Sequence, residues 1–574
     1  MTTAARWGIA LLVVLCVLVR GSYAHAQDTG TADDRLLRSD PQELIEAMEA
    51  DDERNVRTSI ADLEEKDIRE APASVQIITA RQIQASGARD LLDVLRLVPG
   101  LSFGRDVDDV VGVGIHGNWA EEGKCLFLLN GLQLNENDFG SYSIGQRIPL
   151  DNVERIEIIS GPGSVIYGGY AALGVINIIT RSANGANGSQ ASVSTGIASD
   201  RITRTNMTVS GRQRLGRNQE LTYLTGFSRG TRSNSSLLLP DGRTISFADS
   251  TLGQTVAVQF GYRWRNLQAS MLYMDEASEV SDGRYSVRMR DMIAALEQRL
   301  PLSTKVELNW KLSYTDQIPW YYENTGDWDR LASNTTNQRT AASALLNVHP
   351  WEWFGFRFGV QAFNQRSQFY EREEATVFAM NGERAITMND VALLGEVTLK
   401  GRPGILSAGY RYEYNSLSGN YLTPRASYAK VLGRFHVKLL LSKAFKTPTI
   451  MNLNYGPVDG TVHAEFATTA EAEVGYRPGK VSQVTLNAYT TKVETPIVYV
   501  FDAATLDNYI NRDLSGTQGI DLRFQLGSKR TTLSLGYGIY RVLPNSSLPE
   551  AELPAPNDRA YQALPAQRAT GMVA

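Results

Sequence analysis

The chain is poor in the residues that mark metal proteins and disulfide scaffolds. It has two cysteines, Cys16 and Cys125, in 574 residues. Cys16 lies in a stretch that reads as a secretion signal. Arg6 gives a short positive region, Ile9–Val19 an apolar run, and Ala24-His25-Ala26 small residues for cleavage after position 26. Lipidation of Cys16 would want a small residue before it, where Leu15 stands. Removal of residues 1–26 leaves only Cys125, which excludes an intramolecular disulfide and a cysteine metal cage. In CLFLLNG, Cys125 reads as a small buried hydrophobe. Histidine is scarce too. His25 leaves with the signal, and His116, His349, His436 and His463 show no metal-ligand spacing, so neither a resident metal nor a cofactor is expected. No run of 18 apolar residues follows the signal, which excludes a membrane-crossing helix there. A net charge of −5 lacks the basic excess of a general nucleic-acid binder.

A lysine is missing where one motif would need it. The stretch VERIEIISGPGSVIYGGYAALGVINIITR holds Gly161, Gly163, Gly168 and Gly169 between two apolar runs. A phosphate loop wants Lys and Ser/Thr after its glycines at a helix start. Here Gly168 is followed by Gly169 and Tyr170, and no Lys or Arg comes before Arg181. The glycines read instead as residues that permit tight reversals and close packing of two apolar strands.

Three compositions divide the chain. Residues 27–67 are acidic, with fourteen Asp/Glu against five Lys/Arg. Asp40-Pro41-Gln42-Glu43 reads as a helix start within an otherwise flexible arm. Residues 68–185 form an α+β domain. PASVQIIT reads as a strand, Thr79 and Gln82 as a capping box, and Leu91, Leu92, Leu95 and Val98 as one face of a helix stopped by Pro99-Gly100. Residues 186–574 alternate apolar with polar. In KVELNWKLSY, Val306, Leu308, Trp310, Leu312 and Tyr314 oppose Glu307, Asn309, Lys311 and Ser313. In GIDLRFQLG, Ile520, Leu522, Phe524 and Leu526 oppose Asp521, Arg523 and Gln525. A period of two fits a soluble sandwich as well as a membrane barrel. Full charges on the polar face, strands of about ten residues, and short links alternating with long polar loops favour an outer-membrane β-barrel. About 18 such strands can be traced, enough for an open lumen unless something fills it.

The glycine-rich stretch, with EAPASVQIITARQIQASGARDLLDVLRLVPG and CLFLLNGLQL before it, resembles the plug domain of TonB-dependent outer-membrane receptors. LSKAFKTPTIMNLNY and GTQGIDLRFQLG resemble their barrel segments. The resemblance runs from Glu70 to the end. It implies a membrane β-barrel of 22 strands, about 18 of them present here, with the α+β plug inside the lumen. The missing strands suggest a C-terminally truncated sequence, with a closed 18-stranded barrel as the alternative. The plug motif comprises Ser160, Gly161, Pro162, Gly163, Tyr167 and Gly168. The family commonly has arginine where Ser160 and His116 stand, and an Asp-Gly turn at Asn130-Gly131. Such arginines pair with barrel carboxylates, so the ionic latch of the plug is in doubt, and the plug is expected either to be held by hydrogen bonding instead or to be released more easily.

The resemblance further implies a periplasmic arm that pairs as a strand with TonB, whose inner-membrane motor proteins supply the work. The candidate segment is Asn55, Val56, Arg57, Thr58, Ser59, Ile60 and Ala61, with a disordered linker as the other reading. A small-molecule or metal-chelate ligand would bind between apical plug loops and barrel loops. The candidates are Asp106, Asp108, Asp109, Trp119, Asn135, Asn137 and Tyr142 in the plug, and Tyr321, Tyr322 and Trp328 in an outer loop. Trp320 is expected in the membrane-interface girdle. His463 lies where haem receptors place a ligand, but their flanking motif is absent. The chain thus reads as a non-enzymatic outer-membrane importer of a scarce ligand such as a siderophore. A non-transporting surface receptor or assembly partner is the alternative, and a passive porin the third reading.

Overall fold

The computed structural model describes residues 57–58, 60, 66–105, 111–181, 188–198, 201–231, 236–238, 244–246, 252–279, 286–323, 334–369, 385–454, 462–479, 482–502, 506–527, 532–544 and 567–573. The signal, the helix after Asp40, and Asn55, Val56, Ser59, Ala61, Asp106, Asp108, Asp109 and Trp328 lie outside them. Arg57–Ala574 forms one compact unit.

The N-terminal part runs β1 (Arg57–Thr58), β2 (Lys66–Asp67), β3 (Val75–Thr79), α1 (Ala80–Ser86), α2 (Leu91–Leu95), β4 (Leu101–Arg105), β5 (Val111–Ile115), β6 (Asn118–Trp119), β7 (Cys125–Leu129), β8 (Leu132–Gln133), β9 (Val153–Ile159), α3 (Ser164–Tyr167) and β10 (Gly174–Thr180). Its central sheet has the order β3-β9-β10-β7-β8, with β10 parallel to β7 and the other pairs antiparallel. The capping box forms: Thr79 Oγ1 accepts from Gln82 N, and the Gln82 side chain reaches back to Thr79 N. Helix α2 ends at Leu95, earlier than the apolar face predicts. Its tail tightens into i→i−3 bonds, Leu97 N to Val94 O and Val98 N to Leu95 O, before Pro99. Leu91, Leu92, Leu95 and Val98 are all buried nonetheless.

The second part begins with β11 (Gly188–Ala198), β12 (Arg201–Gly216), β13 (Gln219–Gly230), β14 (Ser236–Leu238), β15 (Thr244–Ser246), β16 (Gly253–Trp264), β17 (Leu267–Glu279), β18 (Ser286–Ser303) and β19 (Val306–Glu323). It continues with β20 (Thr335–Trp351), β21 (Phe354–Phe369), β22 (Ala385–Gly401), β23 (Gly404–Asn415), β24 (Gly419–Leu432), β25 (Phe435–Lys446), α4 (Ile450–Asn454), β26 (Glu465–Gly479) and β27 (Ser482–Glu494). It closes with β28 (Ile497–Asp502), β29 (Leu506–Asn511), β30 (Leu514–Gly527), β31 (Thr532–Val542) and β32 (Gln567–Val573). Eighteen of these strands form one antiparallel meander from β11 to β32, with the hairpins β14–β15 and β28–β29 set apart in long loops. Among the described residues, β11 and β32 have no strand on their outer edges.

Burial along the meander is the inverse of a soluble sheet. On β30, Ile520 and Leu522 are 45% and 43% exposed while Asp521 between them is 5% exposed. On β19, Leu312 and Tyr314 face outward while Thr315 and Gln317 are buried. An apolar outside and a polar, buried inside describe a wall with lipid around it and a filled lumen within. The filling is the N-terminal domain. Its core residues Leu95, Phe127 and Ile176 share one cluster with Leu224, Ala257, Ile293, Ala444 and Val493 of the wall. Strands reach 18 residues in β18 and β19, longer than the ten a tilted crossing needs, because pairing continues beyond the apolar band. Among the described residues no helix is long and apolar enough to cross a membrane.

Candidate functional site

The functional surfaces lie where the plug meets the wall. His116 follows β5 and is buried. Its Nε2 stands 2.8 Å from Asp521 Oδ2 of β30, and its ring stacks on Tyr489 at 3.6 Å. Neighbouring Asn118 donates to Thr517 Oγ1 at 2.8 Å, and Thr517 Oγ1 donates to His116 O at 2.6 Å. Ser160 is half-buried beside Gly161. A Cβ on Gly161 would stand 2.4 Å from Glu471 Oε1, so the wall carboxylate rests directly on this backbone.

The expected weakness of the ionic latch is therefore corrected. Cations reach the interface from the wall as well as from the plug. Glu473 accepts from Ser74 Oγ of the plug at 2.6 Å and is ringed by His436, Lys438 and Arg523, all on wall strands. Lys438 Nζ also donates to Ala73 O, and Arg523 Nη1 to Gln76 Oε1. Arg568 of β32 donates to Leu101 O and Arg96 O. In the opposite sense, plug Lys124 pairs with Glu465 at 3.2 Å, and plug Arg147 with Glu276 at 3.1 Å and with Asp291. Burial opposes the Arg147 charge, but the two carboxylates outweigh it and hold its pKa above the usual arginine value. Wall cations thus meet plug carbonyls and an amide, and Arg204 of β12 pairs with plug Asp90 at 3.3 Å; inspection of plug positions alone missed these contacts.

Asn130-Gly131 fits its turn. Asn130 has φ 51° and Gly131 φ 77°, both in the left-handed region that Asn and Gly tolerate. Asn130 Oδ1 accepts from Thr180 N, and Lys311 Nζ of the wall donates to Gly131 O.

The apical candidates have unequal standing. Asn135 is engaged inside the plug: its Oδ1 accepts from Phe127 N at 2.7 Å, and its Nδ2 donates to Cys125 O and Gly140 O. Tyr142 is buried against Phe127, with the Arg147 guanidinium 5.3 Å from its ring centre. Neither presents a group to solvent in this state. Trp119 is half-buried and lies against Gly112, where a Cβ would stand 2.6 Å from its ring. Asn137 is buried with neither amide atom hydrogen-bonded among the described residues. Tyr321 and Tyr322 are half-buried, and Tyr322 packs on a cluster of Val287, Met289, Trp320 and plug Phe139. Trp320 is thus corrected from girdle to lumen. The β18–β19 register slips between Arg288/Arg290, which leaves one extra residue around Pro319 and turns Trp320 inward onto Phe139. His463 is exposed and bonded through its backbone to Asn511.

Sequence reasoning passed over the acids between the asparagines. Glu136 accepts from Asp138 N, Phe139 N and Ser141 N at 2.6, 3.0 and 2.9 Å. Asp138 accepts from Ser367 Oγ at 2.7 Å and from Thr335 Oγ1 of the wall. Burial pushes Glu136 up to about 8, with the Asp138 charge adding to it. Burial also raises Asp138 against its hydroxyl donors. Glu121, which accepts from Val113 N, is likewise pushed by burial up to about 8. The run EEGKC and the run NENDFG, polar between apolar strands, were the available signals.

The plug motif ties the arm to the wall. Helix α3 is held from the wall side by Gln361 Nε2 donating to Ile166 O and by Ser164 Oγ donating to Phe445 O. On the arm side, Tyr167 Oη donates to Ile60 O at 2.9 Å, and Thr58 Oγ1 donates to Glu157 Oε2 at 3.0 Å. Arg57 and Thr58 pair with Asp67 and Lys66, and Ile60 is buried. Pro162 is half-buried. A Cβ on Gly163 would stand 2.6 Å from Val175 Cγ2, and Gly168 has φ 84° against the Arg411 guanidinium. These glycines serve close approach, as the sequence implies.

Residues 67–175 match the model of the TonB-dependent Receptor Plug Domain, and residues 167–571 that of the TonB dependent receptor-like, beta-barrel family. The vitamin B12 transporter BtuB of Vibrio vulnificus strain CMCP6 is 29% identical over 229 residues, 40% of this chain and 34% of that protein. The match therefore spans about a third of that relative's length. BtuB of strain YJ016 is 22% identical over 519 residues, 88% of this chain and 78% of its own. The crystal structure of the siderophore receptor PirA from Pseudomonas aeruginosa superposes with a TM-score of 0.63 at 19% identity, over 82% of this chain and 85% of its own.

Proposed function

The chain belongs to the TonB-dependent receptor family of the bacterial outer membrane, and from that membership we propose that it imports a scarce small ligand such as a siderophore. The observation that carries this reading is the fastened plug. Lys124–Glu465, Arg147–Glu276, His116–Asp521 and the Glu473 cluster tie it to wall strands β17, β18, β26 and β30. A solute passes such a lumen only if work is done on the plug, because breaking a buried ion pair costs about 3–5 kcal/mol. A passive pore has no use for that barrier. The arm offers a handle: a short extended segment at Arg57–Thr58 suits strand addition by TonB once it leaves its pairing with β2. The wall pairs also remove one motive for the alternative, a non-transporting surface receptor.

The test is deletion of residues 55–61, with TonB binding and TonB-dependent uptake measured on the full chain. Loss of both is expected. Unchanged uptake, or an intact protein without affinity for TonB, overturns the reading.

A further inference from the structure

The two ends of the wall differ in charge. At one end the described strands are joined by two-residue links, 217–218, 265–266, 304–305, 352–353, 402–403 and 433–434. They carry Arg217, Arg265, Lys305, Arg402 and Arg434 against one acid, Glu352. At the other end, the sequence between the barrel strands holds seventeen Asp/Glu against eight Lys/Arg. All five cations of the short links are exposed, and none forms an ion pair among the described residues. The plug enters the lumen at this end, where wall Lys400 pairs with Glu70 at 3.6 Å. Short turns mark the periplasmic side of such a barrel.

Aromatic rings on lipid-facing strand positions border these cations. The Arg265 guanidinium lies 5.7 Å from the centre of the Trp264 ring, and Trp264 is the register partner of Gln219, two residues past Arg217. Lys305 Nζ donates to Pro350 O at 2.7 Å beside Trp351, whose ring stacks on Trp353 at 5.5 Å. Arg434 adjoins Phe435, which stacks on Tyr476 at 4.5 Å. Tyr428 Oη donates to Pro403 O, next to Arg402. Trp264, Trp351, Trp353 and Phe435 are each about half exposed. Rings at strand ends sit at the level of lipid headgroups. The cations follow them by one or two residues, which sets them at the depth of the lipid phosphates.

We propose that this rim is a binding surface for anionic glycerophospholipids of the periplasmic leaflet, with Arg265, Arg402 and Arg434 as headgroup contacts. A lysine or arginine near a membrane surface is attracted by net negative headgroups, and a zwitterionic headgroup offers it no net charge. Cations set directly against lipid-facing rings suit a lipid better than a soluble anionic partner, which gains nothing from the rings beside them. The contact does not depend on what the protein imports.

The test places the purified full chain in phosphatidylcholine vesicles that contain increasing amounts of dibrominated phosphatidylglycerol or, in parallel, dibrominated phosphatidylcholine. Bromine quenches tryptophan fluorescence on contact, and Trp264, Trp351 and Trp353 report this rim. Phosphatidylglycerol is expected to quench as a lipid bound about threefold more tightly than phosphatidylcholine at low salt, and the preference to vanish in about 0.5 M salt. The combined variant Arg265→Gln, Arg402→Gln and Arg434→Gln is expected to lose the preference without salt. Trp264→Phe, Trp351→Phe and Trp353→Phe together remove the excess quenching, which locates it at this rim. Equal quenching by the two lipids in the unaltered chain overturns the proposal. So does an excess that survives either set of substitutions, including one that survives the arginine substitutions while TonB affinity is lost, which assigns the cations to that soluble partner. The salt series on the unaltered chain decides the matter if the combined variant does not fold.

Discussion

On β26 and β30 the plug rests against clustered charge, whereas on β11–β13 one ion pair, Arg204–Asp90 at 3.3 Å, stands beside hydroxyl contacts. On the first, Glu473 gathers His436, Lys438 and Arg523 around a bond to Ser74, and Asp521 holds His116 under Tyr489. On the second, Asp151 meets Ser192 and Thr208, and Ser228 meets Gln146. Both walls use the same inward polar face of a two-residue repeat. What differs is which side brings the charge: at Glu473 the wall does and the plug brings Ser74, whereas at Ser192 and Thr208 the plug brings Asp151.

The sharpest way to break the comparison is to take the charge from the tight wall. Glu473→Ala leaves the Lys438 and Arg523 cations of the wall without their carboxylate and removes the acceptor of Ser74 Oγ, so the protein is expected to lose about 3–5 kcal/mol of stability. Protease sensitivity of the plug in the purified full chain reads this, and Glu473→Gln retains part of the loss-free behaviour through its hydrogen bonds.

Next comes pH, which acts within the plug and leaves both walls' hydrogen bonds in place. Burial raises Glu121 and Glu136 to about 8 from 4.5, so folding favours their protonated forms. Their contribution to stability is full below pH 4.5 and is lost as the pH rises through about 8. Plug unfolding is expected to become easier by on the order of a few kcal/mol across that window. Denaturant midpoints measured at pH 5 and pH 8.5 check it, and Glu136→Gln flattens the difference.

Gly226→Val crowds the contact of β13 with Pro149 of the plug. The added methyls meet a rigid proline ring, and the expected cost is about 1–3 kcal/mol, with the contacts at β26 and β30 unaffected. Differential protease cleavage at the 146–152 segment and at the β26 face separates the two.

The smallest effects belong to single neutral hydrogen bonds. Tyr167→Phe removes the bond to Ile60 O and is expected to free the arm at a cost of about 1 kcal/mol. TonB affinity of the purified full chain should rise by a few-fold, and an unchanged affinity assigns the arm's position to Thr58 and its strand pairing instead.

Local patterns were legible because their causes are local. The capping box of Thr79 and Gln82, the glycine at Gly163 and the alternation of KVELNWKLSY each follow from neighbours a few residues away. Trp320 was misread because one extra residue at Pro319 reverses strand parity, and nothing in the alternation before it announces the slip. Asn135 and Tyr142 look like ligand contacts in a polar loop, yet the loop folds back and saturates them internally.

The sequence by itself determined an α+β plug, a lipid-facing two-residue repeat and the family to which both belong. The tertiary structure alone decided how the plug is fastened. His116 and Asp521 are 405 positions apart, and Ser74 and Glu473 are 399 apart. Whether a buried charge finds its partner, and where the plug leaves room, depends on which strands the barrel brings round to face each loop. That is a property of how the strands wrap around the plug, and no short stretch of sequence encodes it.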